Sequence, residues 1–586
     1  MKKHLKRTLC LLLSLAMVLA LAACSSGGTT PGGTSQPSND ASQPSNDASQ
    51  PSSDTSQPAG SSSDSSAPAP STEGEKIIYT NGGPGEFFET PWLNPGTYMY
   101  NKTVYAHLIV ADADLNPIQD HPDALATYEY SEDGKTLTFT LRDDAYWHDG
   151  EKVTPEDIKW SIEYVSKTSV INSVFLSTFK AIEGAVDAEG NINDTFSGIV
   201  IDGQKIVISF AGIAPDALLT FTQFAPVPQK YFAGVDPLQV QQADYFQHPI
   251  GSGPFVVEDV QMSNYTILAP FDKYYNGVAD FKIQMLPSAG DSDPNLATRA
   301  MSGQLDYGYT KMIADVQAIE GTSGIHVQDI NVRYTRLFYL NKFDRADGTP
   351  SPLADVRVRQ AIRYAIDMQT ICDTLMNGGA VPANSLAPDE NLKSDKLNNY
   401  SYDPEKAREL LKEAGWDGTA TLKCVYYYTD QATVDLMSAI QAYLADVGIT
   451  FKAELVEGDL ASILWTAPAD QTNGPSAVDW DICYAANAAL SLHEYYDRYR
   501  TGSATNSHTP EDPELNALID ATSASADVNV QNEAFRALIE YENEDLFCMA
   551  LYYQPIFLIT SDRISGMKVG TPQYCIDWDI QNWTVS

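Results

Sequence analysis

Short runs of alternating apolar and polar residues recur along the chain from Lys76 onward: KIIYTN, TLTFTLRDDAYW, KIVISF, YTILAP and FKIQML. A period of two places one face of each run in a core, so each predicts a strand. Helical periods are interleaved with them. TPEDIKWSIEYVSK offers Thr154 as N-cap, Pro155 at the first helical position and Glu156 and Asp157 in the first turn. Ile158, Ile162 and Val165 then share one face. In ADVRVRQAIRYAIDMQTICDTL, Val358, Ile362 and Ile366 recur four apart. DPEKARELLKEAGW predicts a helix capped by Asp403, begun by Pro404, turned inward at Leu410 and Leu411 and stopped by Gly415. QATVDLMSAIQAYLADVGI followed by TFKAELVE is a helix and then a strand, an α/β unit. The pattern as a whole is mixed α/β with several sheets.

The first 75 residues follow no such pattern. Lys2, Lys3, Lys6 and Arg7 precede an apolar run from Leu9 to Ala23, about 15 residues, where a membrane span needs roughly 20. Charged head, apolar middle and small residues at the end make a secretory signal over 1–23. Leu21-Ala22-Ala23-Cys24 resembles the bacterial lipobox, in which the cysteine is lipidated and becomes the first residue. Acyl chains on Cys24 would hold the protein on a membrane without a spanning helix. Residues 24–75 continue as SQPSNDA-type units repeating with period seven from Ser35. Stacking units with almost no apolar side chains buries nothing, so this segment is expected to be an extended tether. A long tether suits a thick wall outside a single membrane. The expected location is the extracellular face of a Gram-positive-like cell membrane.

The formal charge of −40 argues against nucleic acid as a partner. Roughly 510 residues remain for the body, enough for two or three domains. Beyond Cys24 there are Cys372, Cys424, Cys483, Cys548 and Cys575, widely spaced and odd in number, which favours buried free thiols with at most one bridge. The histidines show no H-x-x-x-H spacing, and DSDPN from Asp291 lacks the Gly and Glu of a calcium loop, with Leu296 and Ser302 in those places. H-E-x-x-H, G-x-S-x-G and the phosphate-binding glycine patterns are absent. No metal or other cofactor and no enzymatic activity are expected.

Five segments occur in an order that carries a resemblance. ALATYEYSEDGKTLTFTLRDDAYWHDGEKVTPEDIKWSIE, HPIGSGPFVV, ATRAMSGQLDYGY, LFYLNKF with SPLADVRVRQAIRYAID, and YSYDPEKARELLKEAGW resemble the family 5 extracellular solute-binding proteins of ABC transporters. The similarity runs from about residue 77 to the end, with Ser252 where the family has Thr in G-T-G-P. Residue by residue, these motifs read as structure. Gly251, Gly253 and Pro254 suggest a turn of unusual dihedrals. Arg357, Arg359 and Arg363 suggest an exposed helix side, with Arg359 paired to an acidic neighbour. Trp147 and Trp416 suggest core.

The resemblance implies a two-lobed periplasmic-binding-protein-like fold (type II) with an extra domain and a hinged cleft. A base lobe is expected over 76–111, 247–335 and 551–586, the extra domain over 112–246 and the second lobe over 336–550. Hinges are expected near Tyr334–Asn341 and Ala550–Tyr553. It further implies a ligand held by lobe closure, an ABC permease with its ATPase subunits as partners, and a monomer. Peptide-binding relatives grip the peptide's amino group with an aspartate shortly after the strand that here reads DWDICYAANAAL. This chain has no acidic residue between Asp481 and Glu494. Leu490 or a neighbouring alanine takes that place, so the ligand can be an oligopeptide, an oligosaccharide or another solute. A surface receptor or chaperone-like role without transport is the third alternative. Ligand-contact candidates are Glu89, Trp92, Tyr309, Trp465, Tyr484 and Asn487. His493 would be the candidate ligand in a nickel role.

Overall fold

In the computed structural model the described residues are 76–83, 90–93, 99–112, 115–287, 295–330, 332–568 and 579–586. Cys24, the tether, Glu89 and Cys575 lie outside them. Three sheets organise the rest. The first has seven strands in the order Ile325–Ile330, Ile556–Ser561, Tyr307–Thr310, Ile77–Gly83, Lys282–Pro287, Tyr265–Pro270 and Phe255–Gln261. Ile77–Gly83 runs parallel to both of its neighbours, and the other pairs are antiparallel. The second has six strands in the order Val381–Pro382, Cys548–Tyr553, Tyr334–Leu340, Ile482–Ala488, Thr421–Tyr426 and Thr450–Leu455. A four-stranded antiparallel sheet, Ala126–Tyr130, Thr136–Leu141, Lys205–Ser209 and Ile199–Asp202, makes the third.

The chain passes between the first two sheets at two places, after Ile330 into Tyr334–Leu340 and after Tyr553 into Ile556–Ser561. The crossings are neighbours in space, because Thr335 pairs with Tyr553. Tyr334, Thr335 and Leu551–Tyr553 belong to the six-stranded sheet, so that sheet reaches a few residues into the segments expected above for the base lobe.

Local chemistry sets the elements as the patterns predict. Thr154 accepts from the Asp157 N–H while Asp157 reaches back to the Thr154 N–H, a full capping box at the start of Pro155–Val165. Asp403 caps Pro404–Glu413, and Gly415 follows with φ of +74°. Gln431–Asp446 joins two parallel strands, Thr421–Tyr426 and Thr450–Leu455, as the α/β unit requires. The long pattern after Asp355 breaks sooner than its period suggests. Its helix is Val356–Ala365, with Ile366 already extended. Cys372, Cys424, Cys483 and Cys548 are buried free thiols.

Two expectations change. Arg359 and Arg363 are buried, at 2% and 3% exposure, and only Arg357 remains near the surface. Arg359 donates to the Asp545 carbonyl and carboxylate, the latter at 2.7 Å, and to the Leu353 and Ala354 carbonyls, tying two helix ends together. Arg363 donates to the Ala383 carbonyl at 2.9 Å, and burial pushes its pKa down to about 10. The glycines of GSGP, in turn, do not have positive φ. They are glycines because a Cβ on Gly251 would lie 1.8 Å from the Val104 carbonyl oxygen, and one on Gly253 would lie 2.5 Å from that of Thr103. Trp147 is buried as expected, and Trp416 packs at the core edge with its indole N–H on the Gly448 carbonyl.

One buried carboxyl gives the fold a pH dependence. Glu542, in the helix Val528–Asp545, accepts from the Leu386 N–H and the Tyr496 hydroxyl, both at 2.6 Å, and burial pushes its pKa from 4.5 up to about 8. The folded state therefore holds a proton that the unfolded chain releases above about pH 4.5. Its contribution is full below about pH 4.5 and is lost as the pH rises to about 8, a change on the order of 5 kcal/mol. Denaturation across this range should show the fall in wild type and a flattened profile in Glu542→Gln.

Candidate functional site

The six-stranded sheet presents its central strand, Tyr334–Leu340, immediately after the crossing from the first sheet. Residues of even number share one face with Tyr484, residues of odd number the other with Asn487, because Phe338 pairs with Tyr484 and Thr335 with Asn487. On the even face the Arg336 guanidinium lies among tyrosine rings, 4.1 Å from the centroid of Tyr428, 5.3 Å from Tyr334 and 5.8 Å from Tyr484. Tyr484 and Tyr552 join their hydroxyls at 2.7 Å. Tyr334 also packs against the core of the first sheet, with the Lys311 ammonium 5.2 Å over its ring. On the odd face the Tyr339 hydroxyl donates to Asn487 Oδ1 at 2.6 Å, and the Trp465 ring meets Tyr339 edge-on at 4.8 Å. The Arg498 guanidinium lies 5.8 Å from the Trp465 ring centroid. Asn487 Nδ2 is buried without an acceptor.

The structure thus brings Trp465 and Asn487 together around Tyr339, and sets Tyr484 on the opposite face of the same sheet beside Arg336. Tyr309 lies in the seven-stranded sheet, half-buried, its backbone clamped by the Asn81 amide. Trp92 does not stand at an open surface. It is fully buried, its indole donates to the Ala225 carbonyl at 2.9 Å, and it packs on Phe232 and Phe246. It serves the core beside the four-stranded sheet. Arg336, Tyr428 and Tyr552 were not among the sequence candidates. A lone charge between aromatics in YTRLFYL is the sequence signal that marks Arg336.

A second junction lies where the segment after the four-stranded sheet meets the second sheet's helices. Asp216 accepts from the Ser491 hydroxyl at 2.8 Å and from His493 Nδ1 at 2.9 Å, while His493 Nε2 faces the Thr522 carbonyl at 3.1 Å. Two acceptors on two ring nitrogens fit the doubly protonated ring. Ser173 bonds Glu494, and Gln531 donates to the Pro215 carbonyl, in the same seam. Arg333 holds Asp389 at 2.8 Å and donates to the Leu490 carbonyl at 2.7 Å, and Leu490 itself is buried in the core that the seven-stranded and four-stranded sheets share. A cavity of about 70 Å³ remains between these groups, room for about two waters. His493 is therefore neither at the surface nor available to a metal in this arrangement.

Burial works against the charged His493 ring, but the facing Asp216 carboxylate and the Thr522 carbonyl prevail and raise its pKa. Burial likewise works against the Asp216 carboxylate, and His493, Ser491 and Arg333 lower its pKa. The histidine's contribution is full below about pH 6.5 and lost as the pH rises through its raised pKa, and the aspartate's is lost as the pH falls through its depressed one. The seam is thus firmest in mildly acidic solution. His493→Gln should cost about 1–3 kcal/mol at pH 6 and much less at pH 9, read by denaturant melts at both pH values.

Among the described residues, one group has metal-ligand spacing, His121, Asp123 and Asp579. Its acids already have structural partners. Asp123 accepts from Tyr274, Asn276, Gln581 and the Asp579 N–H, and Lys568 pairs with Asp579 at 2.9 Å. A larger hollow of about 490 Å³ is lined by Trp147, Trp160, Tyr164, Phe232 and Lys230, with Trp92 packed behind its Phe232 wall.

Comparison with known proteins covers most of this architecture. The family model described as bacterial extracellular solute-binding proteins, family 5 Middle, matches residues 121–508. An ABC transporter peptide-binding protein of Brucella ovis is 29% identical over 382 residues, 64% of this chain and 68% of that protein. The oligopeptide-binding protein OppA of Lactococcus lactis subsp. lactis is 24% identical over 499 residues, 79% of this chain and 81% of that one. The crystal structure of the ABC transporter substrate-binding protein CtaP of Listeria monocytogenes aligns with a TM-score of 0.67 at 21% identity, covering 87% of this chain and 99% of that one.

Proposed function

Because the chain belongs to the family 5 bacterial extracellular solute-binding proteins, we propose that it captures an oligopeptide outside the cell and delivers it to a membrane permease driven by ATPase subunits. The observation that carries this reading is the pair of adjacent crossings between two sheets. Two bodies joined at neighbouring strands can rotate about that joint, and a solute touching both only when they meet shifts the population toward the closed form. The names of the Brucella and Lactococcus relatives support a peptide as the first solute to test. In this reading the protein works as a monomer, the two lobes and extra domain follow the boundaries given above, shifted by a few residues at the two crossings, and lipid on Cys24 with the 24–75 tether keeps it at the outer face of the cell membrane. No step of this role requires chemistry on the solute.

A second reading, an oligosaccharide in place of the peptide, draws on one observation. The stretch ICYAANAALSLH is neutral, and Leu490 within it is committed to the core that the seven-stranded and four-stranded sheets share. No carboxylate of that stretch stands ready for a peptide's amino end. A thermal-shift screen of the full-length protein against a peptide mixture and a set of oligosaccharides separates the readings. A solute at a hundred times its Kd adds about 2.7 kcal/mol of stability. Stabilisation by peptides supports the first reading, and stabilisation by sugars alone replaces it with the second. A flat response to both contradicts solute capture.

A further inference from the structure

Four arginines of this fold, Arg333, Arg345, Arg359 and Arg563, each face a carboxylate at 2.7–2.8 Å. Arg336 does not. Its Nε and Nη1 are shut off from solvent and meet no acceptor, although the side chain as a whole is only half-buried. One unsatisfied donor lies on each forked edge of the guanidinium. Four tyrosines surround it instead: the rings of Tyr428, Tyr334 and Tyr484 lie 4.1, 5.3 and 5.8 Å away, and Tyr552 pairs with it across the neighbouring strand. Ring faces attract a cation, but more weakly than a fully paired carboxylate, and a charge withdrawn from water is costly without a counter-charge. The Tyr484 and Tyr552 hydroxyls are already engaged with each other. The cage draws on both sides of the joint, because Tyr334 packs on the first core while the other three rings belong to the second sheet and its adjoining loop.

We infer that Arg336 and its tyrosine cage form a carboxylate-recognition site, which takes the acid group of the captured solute at the joint between the two sheets. This inference rests on the solute-capture reading for the solute, and on Arg336 alone for the charge. A carboxylate offers the planar pair of acceptors that a guanidinium fork fits, and the flanking rings cover the rest of the group. The carboxylate can be the terminus of a peptide or the acid of a uronic sugar.

The test compares acid and neutral forms of matched probes on the full-length protein by calorimetry: tri-alanine against its C-terminal amide, trigalacturonic acid against its methyl ester, and acetate alone. One acid is expected to bind at least tenfold more tightly than its neutral partner, and the pair that responds identifies the source. Arg336→Met should erase that preference, and a cooperative urea transition like that of wild type shows that the variant is folded. Arg336→Lys keeps the charge without the fork, so part of the preference should survive. If Arg336→Met does not fold, Arg336→Lys decides alone, an undiminished preference overturning the assignment and a loss of threefold or more supporting it. Equal binding of acid and neutral probes overturns the site and leaves solute capture intact. Acetate binding that Arg336→Met abolishes, with neither peptide nor sugar bound, keeps the site and removes solute capture. No binding of any probe overturns both.

Discussion

Gly251→Ala should destabilise the protein by more than about 3 kcal/mol, at the upper end of what overpacking costs. The added methyl would meet the Val104 carbonyl oxygen at 1.8 Å and its carbon at 2.7 Å, and both are backbone atoms that cannot swing aside. The same approach carries hydrogen bonds. Gly253 donates to the Val104 carbonyl at 2.9 Å, and the His148 N–H to the Gly251 carbonyl at 2.9 Å. The His148 ring meets the Gly251 N–H at 3.2 Å and the Gly253 carbonyl at 3.0 Å, so pushing the two segments apart breaks several contacts together. Gly212→Ala is the control, with nothing within 4 Å of its added carbon and no positive φ. It should change stability by less than about 1 kcal/mol. Urea denaturation of the full-length protein reads both. A Gly251→Ala loss no greater than the control's would show that the backbone yields.

Asp306→Ala should cost about 3 kcal/mol. Asp306 is fully buried and ends the SGQLD segment. It accepts from the Tyr79 N–H at 2.9 Å, the Ser561 hydroxyl at 2.6 Å and the Arg563 guanidinium at 2.8 Å. One carboxylate thereby ties the strands Ile77–Gly83 and Ile556–Ser561 to Tyr307–Thr310, three adjacent members of the seven-stranded sheet. Removing it strands two buried donors, while Arg563, 38% exposed, can turn partly to water. The double variant Asp306→Ala/Arg563→Ala should therefore lose less than the two single changes together, by about 1 kcal/mol. Strict additivity would mean that the pair is not coupled.

What the sequence revealed depended on the distance over which each effect acts. Caps at Thr154 and Asp403 are decided within four residues, so the pattern alone placed those helices. Arg359 was read as exposed because its partner, Asp545, comes from a helix far along the chain. Gly251 and Gly253 were read as a turn because the backbone that excludes a Cβ, at Thr103 and Val104, lies well upstream. Trp92 was a ligand-contact candidate, but its surroundings of Phe232 and Phe246 are assembled from later segments. Tyr484, Asn487 and Trp465 fall on or beside one sheet, and sequence could not tell which face each would take until the register with Tyr334–Leu340 was known. Arg336 was the legible residue that went unread, a single charge in an aromatic strand.

The central claim is that one solute is held by both bodies at the joint. Hydrogen exchange of the full-length protein, with and without a peptide or oligosaccharide that raises its Tm, tests it most directly. The account predicts slowed exchange in Tyr307–Thr310 of the first sheet together with Tyr334–Leu340 and Ile482–Ala488 of the second. Protection confined to one sheet, or exchange unchanged at all three, would contradict it.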